Sequence, residues 1–150
     1  MKLNTLKLTR YNGDELFGIT EASIYFADDK TELSLDFKTG KPLSVPLLDT
    51  KIRGGLSGEF WIQDIKISSL KELEGQSFYI KDGYDNEDYE TCSTFYYYQH
   101  QTVSENTIEF IKYTNEYFLV KITANTCDVI NPNNSKPETK IELTANFKID

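Results

Sequence analysis

The sequence predicts an all-β domain, an antiparallel β-sandwich or barrel of roughly nine short strands with one short helical turn. Aromatic residues make up 13% of the 150-residue chain, with 10 Tyr and 9 Phe, and such residues favour strands. Apolar and polar residues alternate with a period of two in several segments, as in half-buried strands. Turn signals separate these segments at about the 8–12-residue spacing typical of sandwiches and barrels. The length suits a single domain over residues 1–150.

Five strands are predicted in the first half of the chain, at residues 3–11, 15–20, 22–27, 32–38 and 60–68. The Asn12-Gly13 dipeptide predicts a hairpin turn after the first strand, because both residues tolerate positive φ. Gly18 weakens the second strand. Near Gln63 and Asp64 the apolar positions of the fifth strand change parity, which predicts a β-bulge at that point.

Breaks in the alternation predict the longer loops. Residues 39–42 interrupt the pattern, and the Pro- and Gly-containing residues 42–59 predict a loop with one short edge strand at 43–48. A polar segment at 125–139 predicts a second long loop. The second half of the chain holds five further predicted strands, at residues 77–81, 94–100, 106–114, 116–124 and 140–149.

The helical signal is confined to residues 69–75. Ser69 and Glu72 have the spacing of a capping box, in which each residue bonds the backbone of the other. Gly75 stands where a C-terminal stop is expected. The segment is long enough for one or two turns only, so it is predicted to connect two strands.

Charge is the main guide to partners. The net charge is −8, and it is uneven: residues 1–75 contribute −2 and residues 76–150 contribute −6. An acidic surface repels nucleic acid and anionic lipid, so neither nucleic acid nor a membrane is expected as a partner. The same surface suits a basic protein.

A loop at residues 82–90 carries five carboxylates interleaved with two tyrosines, and it is the most distinctive stretch of the chain. Tyrosine supplies apolar contact area at low entropic cost, and carboxylates steer and pair with Lys and Arg. In the following strand, Phe95 and Tyr97 are predicted on one face and Tyr96 and Tyr98 on the other. The residues predicted to contact a partner are Asp82, Tyr84, Asp85, Glu87, Asp88, Tyr89, Glu90 and Tyr97.

Catalytic, metal and cofactor sites are not predicted. His100, Cys92 and Cys127 lack the close spacing of metal or nucleophile motifs. The acidic loop lacks the ligand order of a calcium loop. The glycine run at 54–58 is not followed by the Lys-Ser/Thr pair of a phosphate-binding loop. The chain is therefore expected not to be an enzyme.

The expected compartment is the cytoplasm. The N-terminal residues have no apolar signal-peptide core, and no segment approaches the ~20 apolar residues of a transmembrane helix. Cys92 and Cys127 are then expected to be reduced thiols, whereas export by another route would allow them to pair.

These observations favour a non-catalytic, cytoplasmic binding module that works by occluding a basic protein. In size and charge the chain is similar to bacterial immunity proteins, which neutralise nuclease toxins, so a basic toxin domain is one expected partner. Two alternatives remain open. One is a lipocalin-like barrel that binds an apolar small ligand in a cavity lined by Tyr96, Tyr98 and Phe118. The other is a structural or assembly subunit whose exposed aromatic residues pair with copies of itself. The oligomeric state is not predicted.

Overall fold

The computed structural model describes residues 3–27, 32–44, 55–85, 90, 91, 93–97, 99–127 and 137–150, and these form twelve strands and one 3-10 turn. The predicted all-β antiparallel class is confirmed, and the sheet is not closed into a barrel. The strands are β1 (Thr5–Arg10), β2 (Gly13–Phe26), β3 (Glu32–Ser44), β4 (Ser57–Gln63), β5 (Ser77–Asp82), β6 (Tyr84–Asp85), β7 (Glu90–Thr91), β8 (Ser93–Tyr97), β9 (Gln99–Thr102), β10 (Ser104–Tyr113), β11 (Tyr117–Thr126) and β12 (Thr139–Ile149).

Ten of the described strands form one sheet in the order β5-β10-β11-β12-β1-β2-β3-β4-β8-β9, and β6 pairs with β7 separately. All ladders are antiparallel except a short parallel contact of β12 with β2, where Lys148 and Ile149 lie beside Ser23 and Ile24. Strand β1 lies between β12 and β2 and pairs with both. The direct contact of β12 with β2 begins where β1 is no longer between them. The three strands β12, β1 and β2 therefore form a fork.

The core lies on one face of the sheet. Along β12, Ile141, Leu143, Ala145 and Phe147 are fully buried while the alternate residues are partly or fully exposed, as the alternation predicts. Buried residues of β10, next to one end of the order, and of β8, next to the other, join a single hydrophobic cluster. The sheet therefore packs its inner face against itself. The other side, facing away from the cluster, is called the outer face below.

Strands β2 and β3 are longer than the sequence predicts. β2 is one strand of 14 residues that runs through Gly18, and β3 runs through the predicted break at 39–42. The β2–β3 ladder shifts register three times between Leu16 and Glu21. These irregularities let two long strands stay paired while they bend, which a local reading of Gly and Pro does not show.

The predicted extension of β4 to residue 68 is wrong. The strand ends at Gln63, and Asp64 has a left-handed backbone with φ of 54°. The change of apolar parity marks the end of the strand rather than a bulge. Ile65, just beyond it, is buried and packs against the core.

The predicted strand at 94–100 is two strands, because β8 and β9 form a tight antiparallel pair with Tyr97 opposite Gln99. The predicted helical turn is confirmed as a 3-10 turn, Leu70–Leu73, with the Ser69 N–H donating to Glu72 Oε2 at 2.8 Å. The predicted edge strand at 43–48 falls largely outside the described residues, and residues 43 and 44 belong to β3.

Candidate functional site

The acidic loop at 82–90 is built on a hairpin. Its base is Gly83, which follows β5 and accepts a hydrogen bond from Ser93 N at 3.1 Å. A Cβ atom at Gly83 would overlap Ser93 Oγ and the Val103 carbonyl, so the close approach requires glycine. The backbone then pairs Tyr84 with Thr91 and Asp85 with Glu90.

The predicted contact residues of this loop are only partly placed. Asp82 is exposed at the end of β5. Tyr84, Asp85 and Glu90 have a described backbone position in the hairpin. Glu87, Asp88 and Tyr89 lie outside the described residues.

Tyr97 does not belong to the surface. Its side chain is fully buried, and its hydroxyl donates to Glu15 Oε2 at 3.0 Å. Glu15 also accepts a 2.7 Å hydrogen bond from Arg10 Nη1, and the side chains of this ion pair are completely buried. The expectation that Tyr97 contacts a partner is corrected: alternation placed it opposite Tyr96 but did not tell which face is the inner one.

Three carboxylates meet on the outer face and form what we call the acidic row, Asp36, Glu59 and Asp150. Asp36 of β3 lies directly opposite Glu59 of β4, and its neighbour on the other side is Ser23 of β2. Asp150 follows β12, and its N–H donates to the Ile24 carbonyl at 3.1 Å. Like charges directly opposite each other on neighbouring strands destabilise a sheet. The fold therefore bears an electrostatic cost at this row.

The pKa of the Asp36 carboxyl is raised above its ordinary value. Partial burial is the main cause, and the negative charges of Glu59 and Asp150 add to it, while Lys38 opposes it. Lys38 is two residues along the same strand and also lies 3.6 Å from Glu21. The cation that opposes the pKa shift of Asp36 therefore lies close to a different carboxylate, Glu21.

Aromatic side chains flank the acidic row. Tyr25, Ser34 and Trp61 lie side by side on β2, β3 and β4, one outward position away from Asp36 and Glu59. Tyr25 is 47% exposed and Trp61 is partly exposed. Tyr96 lies on the other side of the row, opposite Ser57, and is 37% exposed. Acidic and aromatic groups therefore share one surface, which we call the acidic–aromatic face.

An open cleft of about 650 Å³ adjoins this face at the fork of β12, β1 and β2. Asn4 shapes it: the residue has φ of 57°, and its side-chain Oδ1 accepts a hydrogen bond from Asn146 N at 3.0 Å. Other lining residues include Glu21, Asp36, Lys148 and Asp150. The walls are mostly polar and carry both signs of charge, so the cleft is suited to polar and charged groups rather than to an apolar compound.

Of the residues predicted to line an apolar-ligand cavity, the two that the structure describes, Tyr96 and Phe118, lie on opposite faces of the sheet. Tyr96 lies on the outer face, whereas Phe118 is fully buried and packs edge-on against Phe110 at 5.1 Å between ring centroids. Tyr98 is outside the described residues.

Among the described residues, no group of three or more His, Cys, Asp or Glu side chains is arranged to hold a metal ion. Cys127 is a free thiol whose Sγ lies 3.0 Å from Gln101 Oε1. His100 has a described backbone in β9, and Cys92 lies outside the described residues. In the part of the chain that is described, no helix has the length and apolar character needed to cross a membrane.

Comparisons with known proteins add nothing to the site: no family model matches the chain, and neither the curated proteins nor the solved structures include a significant match.

The acidic row was not predicted from the sequence. Asp36 and Glu59 are outward-facing members of two strands 23 positions apart in the chain. Their meeting depends on the β3–β4 register, and no local pattern encodes that register. The available signal was the outward position of Asp36 within the alternation of residues 32–38.

Proposed function

We propose that the chain is a non-catalytic binding module that occludes a basic protein partner through its acidic–aromatic face. The specific form of this function that we propose is an immunity or inhibitor protein that blocks a basic toxin domain. The observation that carries the proposal is the acidic row, in which Asp36 lies opposite Glu59, while Lys38, the cation that opposes the pKa shift of Asp36, is 3.6 Å from Glu21.

A cationic partner would relieve the electrostatic repulsion that the free protein bears at the acidic row. Repulsion between carboxylates at ~4 Å is only about 1 kcal/mol in water, so the isolated fold tolerates it. A partner's Lys or Arg side chains would neutralise the row and gain charge-assisted hydrogen bonds. The same field would raise the association rate at low salt.

The acidic loop at 82–90 is proposed as a second part of the surface that binds the basic partner. Its carboxylates extend the negative field, and their sign matches that of the acidic row. An assembly subunit remains the second candidate function, because Tyr25, Tyr79, Tyr96 and Tyr117 are exposed in the isolated chain.

The proposal is tested with the double substitution Asp36→Asn, Glu59→Gln. Removing a raised-pKa carboxylate and its neighbour should stabilise the fold by a few tenths to about 1 kcal/mol at pH 7. The sign follows from linkage: ionisation of Asp36 costs more in the folded than in the unfolded state, so the gain vanishes as the pH falls below 3.8. Urea unfolding of the wild type and the variant at pH 7 and at a pH below 3.8 measures this difference in the free energy of unfolding.

Binding is measured on the same variant. Immobilised wild type should capture a basic protein from the source cells, with an affinity that falls steeply with salt, and the variant should bind that protein at least tenfold more weakly. The control is Asp14→Asn, Glu138→Gln, which changes the net charge equally at exposed positions away from Asp36 and Glu59: Asp14 is opposite Thr9 of β1, and Glu138 precedes β12. A captured partner that is not basic, or equal losses in both variants, would refute the proposal.

A further inference from the structure

We propose that the acidic–aromatic face selects arginine-rich segments of its basic partner over lysine-rich ones. This rests on the proposed function and adds the chemistry of the partner side chain. The geometry that carries it is the juxtaposition of two neighbouring rows on the outer face, one of carboxylates and one of aromatic rings.

The two rows are close enough to act on one side chain. Trp61 and Glu59 are both outward residues of β4, two positions apart, which corresponds to about 7 Å along a strand. Tyr25 and Trp61 are separated by the single strand that carries Ser34, or about 10 Å. Ser34 has a small side chain, so the space between the two rings lies over a low point of the face.

A guanidinium group fits this arrangement better than an ammonium group does. It is planar, stacks on aromatic faces, and presents a fork of N–H donors that matches a carboxylate bidentately. An arginine laid along β4 can therefore stack on Trp61 and pair with Glu59 together. A lysine can pair with the carboxylate, but its compact, strongly hydrated head gains less from the ring.

In the part of the chain that the structure describes, the cation that acts on Asp36 lies away from the ring row. Lys38 is two residues from Asp36 on the side away from Trp61, and its Nζ lies 3.6 Å from Glu21. The chain itself stacks an arginine on a tyrosine elsewhere: the Arg10 guanidinium carbon lies 5.6 Å from the Tyr11 ring centroid. The ring row beside Glu59 offers the same contact to a guanidinium from outside.

Trp61 is the single tryptophan of the chain, so its fluorescence reports on this face directly. The probes are two blocked eight-residue peptides, one alternating Gly with Arg and the other Gly with Lys. They carry equal charge and no aromatic residue. At low ionic strength the Arg peptide should change the Trp61 emission in a saturable way and bind about fivefold or more tightly than the Lys peptide.

Two variants, measured by titration calorimetry, locate the preference. In Trp61→Leu the ratio of the two dissociation constants should fall to about one, while the Lys peptide binds nearly as in the wild type. Because Trp61 is partly buried, Tyr25→Leu at a more exposed position provides an independent second variant, and it should lower the same ratio.

The outcomes separate this inference from the proposed function. Equal affinity of the wild type for both peptides, or an Arg preference that survives in both variants, would overturn the inference and leave the proposed function standing. Binding of neither peptide at low salt would overturn both.

Discussion

A buried polar group lies near the turn between β1 and β2 and consists of Arg10, Glu15 and Tyr97. Arg10 of β1 and Tyr97 of β8 both donate to the Glu15 carboxylate, and the three side chains are almost completely removed from solvent. Moving a charged pair out of water is costly, and the pair is stable only while its hydrogen bonds are complete. This group ties strands that lie far apart in the sheet order. Its role is structural.

Replacing one member should therefore be severe. Glu15→Gln removes the carboxylate that forms an ion pair with the buried Arg10 guanidinium and should lower the free energy of unfolding by about 3–5 kcal/mol. Tyr97→Phe removes the hydrogen bond from the Tyr97 hydroxyl to the charged Glu15 and should cost about 1.5–3 kcal/mol. Urea denaturation measures both.

The matched control for this prediction is an exposed ion pair. Lys7 Nζ lies 3.6 Å from Asp14 Oδ2, and both side chains are more than a third exposed. Asp14→Asn should change the stability by less than about 1 kcal/mol. A Glu15→Gln variant as stable as this control would mean that the buried pair is not formed in solution.

The pairing of β3 with β4 positions the acidic row, and it depends on a close approach at Gly58. This glycine lies opposite Phe37 in the ladder, and a Cβ atom there would overlap the Phe37 ring. The ring cannot move freely, because it is 1% exposed and lies between Phe60 and Phe95, with centroids 6.4 Å away on each side. The small residue therefore lets three aromatic rings fill the inner face.

Gly58→Ala should destabilise the chain by about 1–3 kcal/mol through overpacking. Gly18→Ala is the matched control: Gly18 also lies within a strand, and no atom comes within 4 Å of the added Cβ. It should be neutral or stabilise by up to about 1 kcal/mol. Thermal unfolding of the two variants side by side measures the difference. Equal melting temperatures would show that the Phe37 ring yields and that the approach is not tight.

Two acidic features contribute to the electrostatic field of the whole molecule: the acidic row and the acidic loop at 82–90. The chain carries a net charge of −8, and five of its carboxylates lie within residues 82–90. Long-range steering depends on the summed charge, whereas the lifetime of a complex depends on close contacts. The two features can therefore be separated kinetically.

The triple substitution Asp85→Lys, Glu87→Lys, Asp88→Lys tests the hairpin. It should leave the melting temperature nearly unchanged, slow association with the basic partner, and flatten the salt dependence of the association rate. Stopped-flow or surface-plasmon kinetics at two ionic strengths measure this. Wild-type association kinetics at low salt would show that the hairpin is merely solvated and takes no part in binding.

The local pattern of the sequence determined the fold class, the inward faces of β11 and β12, the hairpin between β10 and β11, and the 3-10 turn. Period-two alternation and turn chemistry depend on residues that are close together in the chain, so both can be recognised from the sequence alone. The same local rules misplaced the ends of β2, β3 and β4. A strand can continue through Gly or Pro when a long neighbouring strand pairs with it. That pairing is a tertiary feature, so a short stretch of sequence does not reveal it.

The candidate surface was decided by tertiary structure. The excess of acid at 82–90 is visible in the sequence, but the acidic row exists only because the β3–β4 register sets Asp36 against Glu59 and the fork brings Asp150 beside them. Register and strand order are set by packing across the whole sheet, and a shift of one residue would reverse every side chain. For the same reason alternation alone could not tell that Tyr97 faces the core while Tyr96 faces solvent.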